Sequence, residues 1–132
     1  MTNGRHLDFI ADTSAVIHLC RRDPKVIDQV RGKTFAITFV TMAELSVGIL
    51  KSNKPEAAWN QVTEVLKGQQ IFLISHHTAA IYARIFIELE KGGKLIPVND
   101  IWIAALAIEA QLPILARDEH FSRIKNLTVI NC

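Results

Sequence analysis

The sequence predicts an α/β domain: a parallel sheet of four to five strands, covered on both faces by helices. Three observations lead there. Short apolar runs of strand length alternate with longer segments of helical period along the whole chain. The helical segments are long enough to act as crossovers, so consecutive strands run parallel through right-handed connections. Finally, 132 residues with 49% hydrophobic and 21% charged side chains fit a single domain with one sizeable core. No internal repeat, low-complexity tract or linker divides it.

Taken in order, residues 7–11 form the first strand and residues 14–20 a short helix. Asp23 and Pro24 supply a cap and a first-turn proline for a helix reaching Val30. Residues 35–39 are the second strand, and a helix over residues 41–51 turns Met42, Leu45 and Ile49 inward. Pro55 starts the next helix, which runs through Trp59, Val62, Val65 and Leu66 to a stop at Gly68. Residues 71–74 are the third strand. Ser75 caps a long helix whose Ala79, Ala80, Ala83, Phe86, Ile87 and Leu89 face the core, until Gly92 and Gly93 end it. A helix over residues 100–110 is apolar almost throughout. Residues 113–116 form the fourth strand, residues 118–124 a short helix and residues 127–130 the last strand.

Charge and cysteine usage exclude several classes. A formal charge of +2 admits an anionic partner but is too mild to establish one. Cys20 and Cys132 make neither a disulfide framework nor a metal-ligand pattern, which fits a reducing compartment. The longest apolar run, residues 101–108, falls far short of the roughly 20 residues of a membrane span. The expectation is a cytoplasmic protein without membrane association.

In sheets of this kind ligands bind beyond the carboxyl ends of the strands. Four acids fall there: Asp12 after strand one, Glu44 in the first turn of the helix after strand two, Asp100 opening its helix, and Asp118 after strand four. Singly, each has a structural explanation. Asp12 and Asp118 can be N-caps, Thr41 to Glu44 matches the S/T-x-x-E capping box, and Asp100 suits a helix start. Jointly they say more, because caps are needed wherever helices begin, whereas these acids share one sheet edge. Carboxylates gathered there repel one another unless a cation neutralises them. An oxygen-only donor set selects Mg²⁺ or Mn²⁺ over zinc, and phosphodiester hydrolysis is the reaction that best uses those parts.

The stretches ADTSAVIHL (residues 11–19), TMAELSVGI (41–49), IPVNDIWIAALA (96–107) and ILARDEHF (114–121), in this order, resemble a PIN-domain ribonuclease. More closely, the chain is similar to the VapC-type toxins of type II toxin–antitoxin pairs. The resemblance implies a three-layer α/β/α domain and an active site of three or four acids around Mg²⁺ or Mn²⁺. It implies Asp12 and Asp100 as principal metal ligands and Glu44 as the acid of the A-E-L motif, bound directly or through water. Asp118 matches the fourth, least constant acid. Thr13 or Ser14 corresponds to the small hydroxyl residue beside the first acid, orienting Asp12 or binding phosphate. Asn99 either hydrogen-bonds within the site or caps its helix. Ala116 departs from the family, where Thr or Ser usually begins a T-x-D pattern, and so removes a supporting hydrogen bond. The resemblance also implies cleavage of structured RNA, such as transfer RNA or a ribosomal RNA loop, a homodimer, and a VapB-type antitoxin. A groove along residues 41–67 is the expected antitoxin surface.

The remaining candidates are weaker. His6, His18, His76, His77 and His120 have no zinc-motif spacing. Arg117 and His120 flank Asp118 and are candidates for phosphate contact. Phe121 reads as a core plug rather than a stacking platform, and Trp59 and Trp102 as packing or interface residues. The dense basic residues between Arg21 and Lys33 are a solvated face or a guide for a phosphate backbone. Two rival functions stay open. A Mg²⁺-dependent phosphohydrolase or receiver-like domain also uses strand-end acids, although Asp8 and Asp12 lack the D-x-D spacing and no lysine follows a late strand. The other rival is a PIN-like module that binds RNA or protein without cutting.

Overall fold

The computed structural model describes residues 6–132. Five parallel strands lie in the order β3-β2-β1-β4-β5: β1 (Phe9–Ala11), β2 (Phe35–Thr38), β3 (Gln70–Phe72), β4 (Ile114–Ala116) and β5 (Val129–Asn131). Ile10 pairs with Ala36 on one side and Ile114 on the other. The three central strands are buried at every residue, whereas the edge strands β3 and β5 are only partly covered. Chain progress reverses at β1. The path first moves outward through β2 and β3, then returns to β4 and β5, and this opens a crevice at the carboxyl ends of β1 and β4.

Strand alternation divides the core between the two faces of the sheet. Phe9, Ala11, Phe35, Ile37 and Leu115 pack with α1 (Thr13–Cys20), α2 (Pro24–Val30), α3 (Phe39–Lys51) and α4 (Pro55–Leu66). Ile10, Ile114 and Ala116 pack with α5 (His76–Lys91) and α6 (Val98–Ala110). The result is the expected three layers. In α6, Ile101 and every residue from Ile103 to Ala107 are buried. A helix apolar on all sides belongs in the interior, and this one lies between the sheet and the more amphipathic α5.

Local chemistry accounts for the starts and stops. Asp12 caps α1 through Ala15 N, and Asp23 caps α2 through Lys25 N with Pro24 in the first turn. Ser75 and Thr78 form a reciprocal capping box on α5, and Glu109 of α6 accepts from the buried Thr78 hydroxyl at 2.5 Å, tying the two helices together. Among the described residues no helix is long and apolar enough to cross a membrane.

Four expectations need correction. Helix α3 begins at Phe39, not Thr41, because Thr38 Oγ1 accepts from Thr41 N and so moves the cap upstream. Thr41 and Glu44 therefore form no capping box, and Glu44 sits in the second turn. On α5 the inward face is Thr78, Ile85 and Leu89 with Ile81, Tyr82 and Phe86 beside them, while Ala79, Ala80, Ala83 and Ile87 are exposed. The short helix after β4 is a single 3₁₀ turn, Phe121–Arg123. Helix α6 starts at Val98, which places Asp100 in its first turn and not at its cap.

Candidate active site at the β1–β4 crevice

Asp12 follows the last residue of β1 and turns its side chain back over the start of α1. Its Oδ1 accepts from Ser14 Oγ at 2.6 Å and from Ala15 N at 3.0 Å. The residue is only 7% exposed. Burial pushes the carboxyl up to about 6, helped by the charge of Asp100 and opposed by the hydrogen bonds from Ser14 and Ala15. A carboxylate so thoroughly removed from water is costly unless something positive faces it.

Asp100 faces Asp12 from the first turn of α6, an anchored position because the helix behind it is buried. Burial is again the main cause of its raised pKa; His120 opposes the shift, while Glu44 and Glu119 reinforce it. Asp12, Ser14, Asp100, Arg117, Glu119, His120 and Phe121 line one small pocket. Ser14 joins its two walls, since its hydroxyl donates to Asp12 and accepts from Arg117 N at 3.0 Å.

Glu44 stands behind this pocket. Its Oε1 accepts from Thr13 Oγ1 at 2.5 Å and its Oε2 from Asn99 Nδ2 at 3.3 Å. Thr13 adjoins Asp12 and Asn99 adjoins Asp100, so Glu44 links the two helix starts that carry these acids. The Thr13 hydroxyl is also 3.1 Å from that of the fully buried Thr41. Thr41, taken from the sequence as a cap, is a wall of this hydrogen-bonded cluster.

The structure thus gathers Asp12, Ser14, Asp100 and Arg117 in the pocket, with Glu44, Thr13 and Asn99 one hydrogen bond behind. Asp118 is placed differently. Its Oδ1 accepts from His120 N at 3.0 Å and Ser122 N at 3.2 Å, and its amide donates to Asn131 Oδ1 at 3.0 Å. Glu119 and His120, next to it in the chain, line the pocket. Phe121 is buried, as a core plug should be. Trp102 stacks on Tyr82 with ring centroids 4.1 Å apart, and Trp59 is half exposed on α4.

The donors in the pocket are carboxylate and hydroxyl oxygens plus one imidazole. Among the described residues no three acid, histidine or cysteine side chains converge closely enough to hold an ion alone. A hard divalent cation held there would bind through one or two carboxylates and complete its shell with water and substrate phosphate. One buried and one half-buried acid, with room beside them, fit that cation better than a closed structural site.

A fold and crevice of this form define a nuclease-like α/β/α class, and the chain belongs to the PIN-domain family, whose model matches residues 9–127. Its relatives within that family are VapC ribonucleases. It is 34% identical over 130 residues to Ribonuclease VapC2 of Haemophilus influenzae, covering 95% of this chain and 98% of the relative. Ribonuclease VapC4 of Mycobacterium tuberculosis is 30% identical over 125 residues, covering 92% and 94%. Among solved structures, VapBC2 from Rickettsia felis bound to a promoter DNA fragment superposes with a TM-score of 0.88 at 25% identity, covering 96% of this chain and 99% of that one.

Proposed function

We propose that this protein is a Mg²⁺- or Mn²⁺-dependent endoribonuclease, the toxin of a VapBC-type pair, which cuts structured cellular RNA such as transfer RNA or ribosomal RNA in the cytoplasm and so halts translation. One observation carries the reading: Asp12, buried and protonation-prone, set against Asp100 at the crevice where PIN-family ribonucleases work. Asp12 and Asp100 would hold the cation, with Glu44 restraining both from behind. A divalent ion bound there supplies the charge that favours ionised water and a phosphoryl group open to attack.

The chain's own groups do the rest. Ser14 fixes the Asp12 rotamer through its 2.6 Å hydrogen bond, leaving Oδ2 for the pocket. Arg117 is exposed at the rim, where its guanidinium meets the phosphate backbone of the incoming strand. Water attacks phosphorus in line and the bond to the 3′ oxygen breaks. The water proton ends on that oxygen, giving 5′-phosphate and 3′-hydroxyl ends.

The partner is a VapB-type antitoxin and the assembled toxin a homodimer. VapBC complexes among the structural relatives support the former. Val47 and Leu50 on α3 and Trp59 on α4 are 52%, 80% and 50% exposed, an unusual apolar display for helix surfaces. Their exposure supports residues 41–67 as the antitoxin surface, and Trp59→Ala should weaken antitoxin binding; unchanged affinity counts against that surface.

The deciding experiment induces the wild-type chain and Asp12→Ala in separate cultures, follows growth and sequences 5′-phosphorylated RNA ends. Arrest with discrete new ends for wild type alone supports the reading and names the substrate. Normal growth without new ends, from soluble folded protein, points to a non-cleaving PIN module or a phosphohydrolase.

A further inference from the structure

We propose that Asn131, at the end of β5, is a positioning residue for the reaction: it holds the turn after β4 so that the Arg117 guanidinium stays at the rim of the crevice. This rests on the phosphate contact proposed above for Arg117 and adds what keeps that side chain in place. Arg117 and Asp118 belong to the irregular segment between β4 and the 3₁₀ turn, where neither a helix nor a strand sets the backbone. Three contacts do so instead. The Arg117 amide donates to Ser14 Oγ, the Asp118 amide donates to Asn131 Oδ1, and the Ala116 carbonyl accepts from Cys132 N, each at 3.0 Å. Two of the three come from residues 131 and 132, beside Ala116, with which Asn131 pairs in the sheet.

Asn131 is itself firmly seated. Gln29 of α2 donates from Nε2 to the Asn131 carbonyl at 2.9 Å, and the following Cys132 is buried with Cys20 and Val26. Cys132 presents its carbonyl to Arg117 Nε at 3.5 Å, so the guanidinium leans on the same strand end that holds the turn. An exposed asparagine ordinarily uses its side chain on backbone within a few residues. This one reaches 13 positions back, to the amide next to the arginine.

A long side chain loses rotamer freedom when it grips a phosphate. A turn already held before RNA arrives lessens that cost. The benefit falls on substrate capture, because a phosphate contact made equally before and during the reaction changes KM and not kcat. Asp12 keeps its bond from Ala15 N whatever the turn does.

The test follows Mg²⁺-dependent cleavage of total cellular RNA over a range of RNA concentrations, read at the site that wild type cuts, with thermal melts alongside. Arg117→Ala should raise KM about tenfold and Asn131→Ala roughly fivefold, with kcat and melting temperatures little changed. The double variant should be no worse than Arg117→Ala alone, since a residue acting through another is not additive with it. A merely structural asparagine would add its effect in full. Asn131→Ser, whose hydroxyl falls short of the Asp118 amide, should match Asn131→Ala and keeps the test decisive if alanine unfolds the strand end. A KM within about twofold of wild type in both Asn131 variants, or a double variant about fiftyfold worse than wild type, overturns the positioning role and leaves the nuclease reading standing. Arg117→Ala indistinguishable from wild type overturns this role together with the phosphate contact. Wild type that cuts no RNA overturns the nuclease reading and this role with it.

Discussion

Thr13 donates its hydroxyl hydrogen to Glu44 Oε1 at 2.5 Å, across 31 positions of sequence. The contact joins the start of α1, where Asp12 sits, to the second turn of α3. With Asn99 on the other carboxylate oxygen, it makes Glu44 a strut between the segments that carry Asp12 and Asp100. Thr13→Val keeps the shape and removes the donor. The expected outcome is a loss of about 1–2 kcal/mol in urea unfolding and a roughly tenfold slower cleavage, since misplacement of supporting groups is costly in rate. Unchanged kinetics would show that the strut is dispensable.

The raised pKa of Asp12 makes stability depend on pH in an unusual direction. Between its ordinary value and about 6, the folded chain holds a proton on Asp12 that the unfolded chain has released. Stability from this group is therefore greatest below the ordinary carboxylate range, declines as pH rises to about 6, and levels off above it. Asp12→Asn retains both accepted hydrogen bonds and removes the charge. Without added metal, it should be more stable than wild type at pH 7 by on the order of 2 kcal/mol, with the difference vanishing near pH 4. Denaturant melts at the two pH values read this directly, and Mg²⁺ should close the gap from the wild-type side.

Asp100→Asn separates chemistry from folding. The amide preserves the size and much of the polarity of a first-turn residue of α6, but offers the ion no negative charge. Cleavage should fall by at least about a hundredfold, growth arrest should disappear, and circular dichroism should be unchanged. A variant that still cuts would reduce Asp100 to a helix-start residue.

Ile103→Ala probes the support behind Asp100. Ile103 is 1% exposed in the core between the sheet and α5. Truncation should cost about 2–5 kcal/mol, lowering the melting temperature well before the folded protein loses activity. The specific activity of the folded fraction, measured below the transition, should stay near wild type. A collapse of activity in fully folded protein would mean that the position of Asp100 depends on fine packing in α6.

Much of this architecture can be read from residues whose role is local. Asp23-Pro24 and Ser75 announce helix starts because their side chains act within three residues, and strand β1 declares itself through uninterrupted apolar character. Asp12 and Asp100 are legible for a topological reason: each follows or opens an element whose direction is set by the parallel sheet. Failures arise where competing local signals are equivalent. Thr38 and Thr41 are both able to cap α3, and only the register of β2 decides between them. Along α5, alanines are neutral toward burial, so they misplace the inward face that Ile85 and Leu89 define. In the loop after β4, no periodicity distinguishes Asp118 from Glu119. The placing of Asp118 depends on the amides of His120 and Ser122, and on Asn131 of β5.

The reversal of strand order at β1 also has a consequence in time. The crevice takes Asp12 from one end of the chain, Asp100 from α6 and Arg117 from beyond β4, and Ser14 can complete its bridge only when β4 has docked beside β1. A growing polypeptide that has emerged from the ribosome as far as α5 therefore carries one wall of the crevice, with nothing across from it. The opposing wall follows it in translation, so the crevice closes only once α6 and β4 have been made.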